Sequence, residues 1–326
     1  MTMLASSAPR LTAIPLSTTD RIASAVIDGL WGTLVGALGE LTGIGVLGLP
    51  FMQRAYLAAI CVAVIGPLVG SFLVHREMAM IGDTLAHSAF AGVAAGLFVN
   101  TVFAVTVPPL LAALVVAAVA AVAVQTLIDY AGTYRDASLA IVLTGSFAVG
   151  SVLITATDGG IAVGINAYLF GSLATVSRAN AALLVALTLV VVTAVAVAYR
   201  PLLYTTFDEV GARAAGLPVA RYNRLLAVLT AVVVVGAMQI MGVILVAGML
   251  VVPVAATTPV TGFKRSLLAA VAVGQLATIG GVTLAYQYDV AAGGTIILVA
   301  ITTYLAVTIG SRLRHRRVAG DTSAEN

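Results

Sequence analysis

Residues 82–88 of the chain read GDTLAHS and open an apolar stretch that continues to Val99. Side chains four positions apart lie on one face of a helix, so Asp83 and His87 would point in the same direction. A carboxylate and an imidazole on one face can bind a divalent transition metal ion. The same spacing also fits a simpler arrangement, in which Asp83 caps the helix and His87 is a buried histidine bonded to a backbone carbonyl. Spacing alone leaves both interpretations open.

The composition around this stretch is that of an all-α, polytopic membrane protein. Of the 326 residues, 61% are hydrophobic and 9% are charged, whereas a soluble domain carries about 25% charged residues. The apolar runs are long and continuous rather than alternating, which favours membrane-spanning helices over a β-barrel. A single cysteine, Cys61, excludes an intrachain disulfide, and no secretory signal peptide is evident. We therefore expect a multi-pass protein of the cell membrane that inserts through its own spans.

Hydropathy predicts about nine spans, and roughly eight to ten fit the length. The apolar run 225–260 is too long for one crossing, so we divide it into a full span followed by a shorter one. The other predicted spans are 54–74, 82–100, 106–128, 138–156, 180–199, 266–286 and 293–311.

Three regions follow from this pattern. Residues 1–48 are an N-terminal extension that begins as a loose tail. From residue 22 it is apolar but carries Asp28 and Glu40, which favours an interfacial or re-entrant helix over a span. Residues 49–312 are the transmembrane domain, and residues 313–326 are a cytoplasmic tail, first basic and then disordered.

The basic residues predict the orientation, because cytoplasmic loops carry an excess of Lys and Arg. With the loop at His75 and Arg76 placed inside, residue 54 lies outside and the C-terminus inside. Only Arg54 and Arg178, apart from the unplaced N-terminal arginines, then fall on the outer side. The residues that agree are Arg135, Arg200, Arg213, Arg221, Arg224, Lys264, Arg265, Arg312, Arg314, Arg316 and Arg317.

The longest predicted cytoplasmic connection is 200–224. Within it, residues 207–218 read FDEVGARAAGLP, which predicts a short amphipathic helix that ends at Gly216, with Pro218 blocking its continuation. A mixed-charge helix with small side chains suits docking into a partner's groove. The alternative is a solvated loop that carries ordinary cytoplasmic arginines.

Residues 236–254 are rich in glycine and methionine and end near a proline. Gly242 and Pro253 predict a broken helix of the kind that lines transport pathways, and the methionines are expected to pack rather than to bind metal. In the outward connection, residues 166–172 read NAYLFGS, where Tyr168 and Phe170 suit either interfacial aromatics or an outer mouth.

Motifs that the chain lacks limit its chemistry. Lys264 is the only lysine, and its surroundings do not form a phosphate-binding P-loop. No His-Glu-x-x-His zinc motif and no Gly-x-Ser-x-Gly nucleophile elbow is present. If the protein uses ATP, the ATPase is therefore another polypeptide, and the chain itself is not expected to be an enzyme.

Several of these stretches, in this order, resemble the membrane permeases of the manganese, zinc and iron ABC transporters, and in particular the high-affinity zinc and manganese uptake permeases. The resemblance extends from about Phe51 to Ile309. The pieces that carry it are 66–72 (GPLVGSF), 75–78 (HREM), 81–88 (IGDTLAHS), 167–172 (AYLFGS), 242–256 (GVILVAGMLVVPVAA), 288–289 (YD) and 292–294 (AGG).

The resemblance implies an ABC importer permease fold and an alternating-access transport cycle. Two copies of the permease would pair with two cytoplasmic ATPase subunits, and an external metal-binding protein would deliver Zn²⁺ or Mn²⁺. It implies that Asp83 and His87 contact the transiently bound ion, with no resident cofactor. It also implies that the loop around Asp208, Glu209, Ala212 and Gly216 docks on the ATPase. Because only neutral histidine binds metal, uptake should weaken at acid pH.

Three other functions remain open at this stage. A permease for a metal chelate would share the docking loop but would not need the Asp83 and His87 pair. A proton- or sodium-coupled carrier would use Asp83 as a proton site and would need no ATPase. An intramembrane enzyme is the alternative outside transport. No feature indicates a nucleic-acid partner.

Overall fold

The computed structural model describes residues 24–43, 45–103, 105–131, 135–156, 162–173 and 176–324. The described part of the chain is helical throughout its regular structure. We number the helices in chain order, with the π-helical first segment as α1. They are α1 (Ser24–Trp31), α2 (Gly32–Thr42), α3 (Pro50–His75), α4 (Met80–Phe103), α5 (Pro109–Ala131), α6 (Arg135–Thr155), α7 (Ala162–Phe170), α8 (Arg178–Phe207), α9 (Glu209–Ala214), α10 (Val219–Met241), α11 (Val246–Ala255), α12 (Phe263–Tyr288) and α13 (Ala292–Ala324).

The predicted membrane architecture is confirmed. Among the described residues, 8 helices are long and apolar enough to cross a membrane, and α11 is a shorter apolar helix. The run 225–260 thus divides as predicted, into α10 and the 10-residue α11. We call the end of the bundle with the α3–α4 turn the inner end, because it is predicted to face the cytoplasm.

Two helices are longer than their predicted spans. Helix α8 has 30 residues and continues to Phe207, past the predicted boundary at residue 199. Helix α13 continues to Ala324, through most of the stretch predicted as a tail. Helical hydrogen bonds are local, so a helix can extend beyond the apolar stretch that crosses the membrane.

The centre of the bundle is formed by α3 and α10. Within their most apolar segments, 72% of the α3 residues and 78% of the α10 residues are buried, against 17% for α6. Helix α3 also touches α11 at the level of the backbone, because a Cβ atom on Gly70 would overlap the carbonyl oxygen of Leu250. Small residues allow such close packing between membrane helices. Helix α6 is therefore a peripheral helix, whereas α3, α10 and α11 are fixed in the interior.

The N-terminal extension is attached to the outer ends of α3 and α8. Asp28 forms ion pairs with Arg54 (3.2 Å) and Arg178 (2.5 Å). The indole Nε1 of Trp31 donates to the carbonyl oxygen of Gln53 at 2.8 Å, and the Gln53 side chain donates to the carbonyl oxygen of Leu47 at 2.9 Å. The two arginines that depart from the positive-inside pattern thus share one carboxylate. Whether this segment is interfacial stays a prediction, and the tail predicted before residue 22 lies outside the described residues.

We predict that Asp28→Asn lowers the thermal stability of the protein, because Arg54 and Arg178 would then face each other without a shared anion. Partly exposed ion pairs are worth about 0–1 kcal/mol each, so we expect a shift of a few degrees in the melting temperature. Thermal unfolding in detergent measures it. Glu40→Gln is the matched control, because Glu40 is an exposed acid on the same extension. Equal melting temperatures for the two variants would contradict the prediction.

Candidate metal pathway

Asp83 and His87 lie one turn apart near the inner end of α4. The helix begins at Met80, so Asp83 lies within its first turn and is not its cap. The Asp83 Oδ1 atom is 3.6 Å from the His87 Nδ1 atom, and the two side chains are 34% and 20% exposed. They point in the same direction, as their spacing predicts, and neither side chain is fully buried.

The hydrogen bond of the His87 ring determines which nitrogen is available to a metal ion. Its Nδ1 atom lies 3.0 Å from the backbone carbonyl oxygen of Asp83. A carbonyl only accepts, so in the neutral ring Nδ1 carries the proton and Nε2 keeps its lone pair. A bond to a carbonyl was the alternative to metal binding in the sequence. The two are compatible, because metal-binding histidines commonly donate their other ring N–H to a carbonyl, which fixes the orientation of the ring.

Helix α6 forms one wall beside the pair. The Phe147 ring contacts the His87 ring edge-to-face at 5.5 Å and is itself 45% exposed. Nearby, the hydroxyls of Ser88 and Ser146 are 2.9 Å apart and join α4 to α6. The pair therefore lies beside a helix whose outer surface is largely uncovered within this chain.

A break between α10 and α11 lies against the end of α7. Helix α10 ends at Met241, and the residue that caps it, Gly242, has a φ of +78°. The freed N–H of Val243 donates to the carbonyl oxygen of Tyr168 at 2.9 Å, and the N–H of Ser172 donates to the carbonyl oxygen of Gln239 at 3.1 Å. The predicted break at Gly242 is present, and the segment 166–172 satisfies its backbone groups.

Pro253, which we expected to contribute to the break, lies inside α11 instead. Proline cannot donate to the carbonyl four residues earlier, which here belongs to Met249. That part of Met249 packs on α3, where a Cβ atom on Gly66 would lie 3.5 Å from the Met249 carbonyl oxygen. The helix therefore continues through its proline, and the Met249 carbonyl lies against α3. Met249 is buried, as expected for a packing methionine.

The predicted short helix in the inner connection is α9. Asp208 caps it, with Oδ1 accepting from the N–H of Gly211 at 2.7 Å. The helix ends at Ala214, and Gly216 turns the chain with a φ of +79°. Ala212 is completely buried, and Glu209 pairs with Arg213 on the exposed side. The connection is shorter than predicted, because α8 and α10 extend into it from both ends.

Two residues near these elements have roles that the sequence did not reveal. Phe147 lies beside His87 although 60 positions separate them in the chain, and no local pattern indicates that contact. The sequence indicates that Arg76 is a charge on the inner side, and the structure shows that its side chain is 5% exposed and contacts α9 and α10. Charged residues are seldom buried without partners, but the sequence does not show which charged residues are buried or what their partners are.

Comparison with known proteins places the chain in a family. Residues 48–311 match the protein family described as the ABC 3 transport family. The chain belongs to this family. The match begins at residue 48, so the N-terminal extension lies almost entirely outside it.

Two relatives in the family illustrate the similarity. The manganese transport system membrane protein MntC of Halalkalibacterium halodurans is 33% identical over 261 residues, which cover 79% of this chain and 86% of the relative. The manganese import system permease protein ScaB of Streptococcus gordonii is 28% identical over 256 residues, covering 78% and 89%.

Solved structures show the same fold. PsaBC from Streptococcus pneumoniae in complex with Fab aligns with a TM-score of 0.71 and 28% identity, covering 81% of this chain and 92% of that one. A metal-chelate type ABC transporter in an inward-facing conformation aligns with a TM-score of 0.59 and 18% identity, covering 79% and 85%. The second likeness shows the fold alone. As an ABC 3 family member, the chain is a transport permease subunit of the cell membrane.

We predict that Gly242→Ala destabilises the permease. A Cβ atom at this position would overlap the Leu169 carbonyl oxygen, and the backbone conformation is unfavourable for alanine. Overpacking costs about 1–3 kcal/mol, so thermal unfolding in detergent should shift downward. Gly294→Ala is the control, because nothing lies within 4 Å of a Cβ there. A Gly242→Ala protein that unfolds at the temperature of the control would contradict the prediction.

Proposed function

We propose that the chain is the permease subunit of an ATP-driven importer for Mn²⁺ or Zn²⁺. The observation that carries the proposal is the pair on α4, in which the His87 Nδ1 atom faces a backbone carbonyl and Nε2 can bind a metal ion beside the Asp83 carboxylate. Imidazole and carboxylate ligands suit both ions. The named relatives are manganese transporters, so manganese is the first ion to test.

A second copy of the permease would complete the ion's ligands. The described residues contain no group of three or more His, Cys, Asp or Glu side chains that suits a metal ion, whereas zinc takes about four ligands. The pair lies beside the half-exposed Phe147 on the peripheral helix α6. Two copies that meet along this side would supply two aspartates and two histidines, and water would complete the coordination.

The ATPase partner would dock at α9. Val210 and Arg213 are 80% and 68% exposed there, while Ala212 is buried and holds the helix against the bundle. An apolar and a cationic side chain on a short exposed helix suit insertion into a groove of another protein. The chain has no P-loop of its own, so ATP would be hydrolysed by this partner.

The external metal-binding protein would dock at the outer end. A cavity of about 620 Å³ opens there between α7 and the α12–α13 turn, with Phe51, Ser172, Tyr286 and Asp289 among its lining residues. Its mixture of aromatic and polar groups is typical of a protein-docking surface. An ion released at this end would travel along α4 toward Asp83 and His87.

We expect Asp83→Asn and His87→Ala each to reduce ATP-dependent uptake by roughly tenfold or more, since loss of even a supporting group of a metal site costs that much. The measurement is uptake of Mn²⁺ and Zn²⁺, tested separately, by proteoliposomes that contain the permease, its ATPase and the external protein. Asp136→Asn, an exposed acid at the inner end of α6, should leave uptake unchanged. Wild-type uptake by either variant would contradict the assigned site, and uptake without ATP would favour an ion-coupled carrier.

Uptake should also decrease as the pH is lowered. Metal binding needs the free lone pair of His87 Nε2, so protons compete with the metal ion for this atom. Initial uptake rates measured between neutral pH and about pH 5 test this. The hydrolysis rate of the ATPase, followed in parallel, controls for damage to the partners. Constant uptake over that range with an active ATPase would be evidence against His87 as a ligand.

A further inference from the structure

The buried guanidinium of Arg76 joins three elements at the inner end. Arg76 follows α3 directly, and its side chain is 5% exposed. Its Nη2 atom donates to the Asn223 Oδ1 atom of α10 at 2.6 Å and lies 3.6 Å from the Glu209 Oε2 atom of α9. The guanidinium is planar and rigid, so the one nitrogen that faces both partners is held in a fixed position between them.

On one side, Arg76 is linked to the metal-binding helix by a short and well-bonded turn. The N–H of Met78 donates to the carbonyl oxygen of Leu73 at 2.9 Å, and the N–H of Gly82 donates to that of Ala79 at 3.1 Å. Asp83 follows Gly82 directly. A displacement of the Arg76 backbone would therefore move the first turn of α4, which carries Asp83.

The same turn is packed closely against the interior. A Cβ atom on Gly82 would lie 2.7 Å from the Leu250 side chain, and one on Gly70 would overlap the Leu250 carbonyl oxygen. The inner ends of α3 and α4 therefore contact the same residue of α11. Close-packed contacts of this kind transmit displacement with little compression.

On the other side, Arg76 is linked to the exposed helix α9 through Glu209. One carboxylate oxygen of Glu209 faces Arg76, and the other lies 2.5 Å from Arg213. Arg213 is 68% exposed, whereas Arg76 is buried. The Glu209 carboxylate is thus shared by one arginine that a partner can reach and one that contacts the interior.

We propose that Arg76 is a positioning residue that transmits the movement of α9 to the first turn of α4, and thereby couples ATP hydrolysis by the partner to the position of Asp83. This inference rests on the proposed function, since it assumes that the ATPase docks at α9. Both contacts run from the one atom Nη2. A lysine keeps the charge and a donor nitrogen but is shorter and lacks the fixed plane of the guanidinium, so we expect it to hold Asn223 and Glu209 less firmly.

The test measures transported metal per ATP hydrolysed, using Mn²⁺ in proteoliposomes with the ATPase and the external protein. We expect Arg76→Gln to keep ATPase assembly and hydrolysis while the ratio falls by roughly tenfold, within the range of about 5–150-fold that is typical of coupling between sites. Arg76→Lys should give an intermediate ratio. Arg221→Gln is the matched control, because it removes an exposed arginine from the first turn of α10, and it should keep the wild-type ratio.

A wild-type ratio in Arg76→Gln, or an equal loss in Arg221→Gln, would overturn the assignment. Should Arg76→Gln fail to assemble, Glu209→Gln removes the α9 side of the link and leaves Arg76 bonded to Asn223; a wild-type ratio in this variant would also overturn it. Failure of the proposed function has a different result: the wild-type chain would then stimulate no ATP-dependent uptake of Mn²⁺ or Zn²⁺ with active partners.

Discussion

Every backbone N–H and C=O group inside the apolar layer needs a partner within the protein, and this constraint explains the arrangement at the centre of the bundle. The break after Met241 frees backbone groups in the interior, and the end of α7 supplies partners for them. Val243 bonds to Tyr168, and Ser172 bonds back to Gln239. The short α7 is therefore the support that permits an interrupted helix next to α3 and α4. Glycines on both sides bring the backbones within hydrogen-bonding distance.

The sequence predicts what depends on local composition. Continuous apolar runs give the spans, and Gly242 gives the break, because both signals are carried by neighbouring residues. Contacts between segments that are distant in the sequence cannot be predicted from local composition. The shared pairing of Arg54 and Arg178 with Asp28 joins residues up to 150 positions apart, so the two arginines look like exceptions until the fold is known. Both arginines can lie on the outer side, against the positive-inside pattern, because the Asp28 carboxylate there pairs with both of them.

The candidate site shows why a residue pattern can support two interpretations at once. The sequence offers His87 either as a metal ligand or as a histidine bonded to a carbonyl, and the structure shows that the second can serve the first. The carbonyl of Asp83 binds Nδ1 and leaves Nε2 for an ion. Tautomer and ring orientation depend on the helix backbone itself, so spacing predicts the shared face but not the nitrogen that is available. The contact of Phe147 with His87 depends on how α6 packs on α4, so residue spacing does not predict it.

Alternating access requires movement, and the packing restricts where movement can occur. The inner ends of α3 and α4 both contact Leu250 of α11, where glycines remove any side chain between them. Close-packed interiors switch between arrangements rather than deform continuously. These three segments should therefore move as one unit, with changes in shape concentrated where the packing is looser. Helix α6 is such a place, because only 17% of its most apolar segment is buried. A permease built this way can change its access while the geometry of Asp83 and His87 on α4 stays nearly constant.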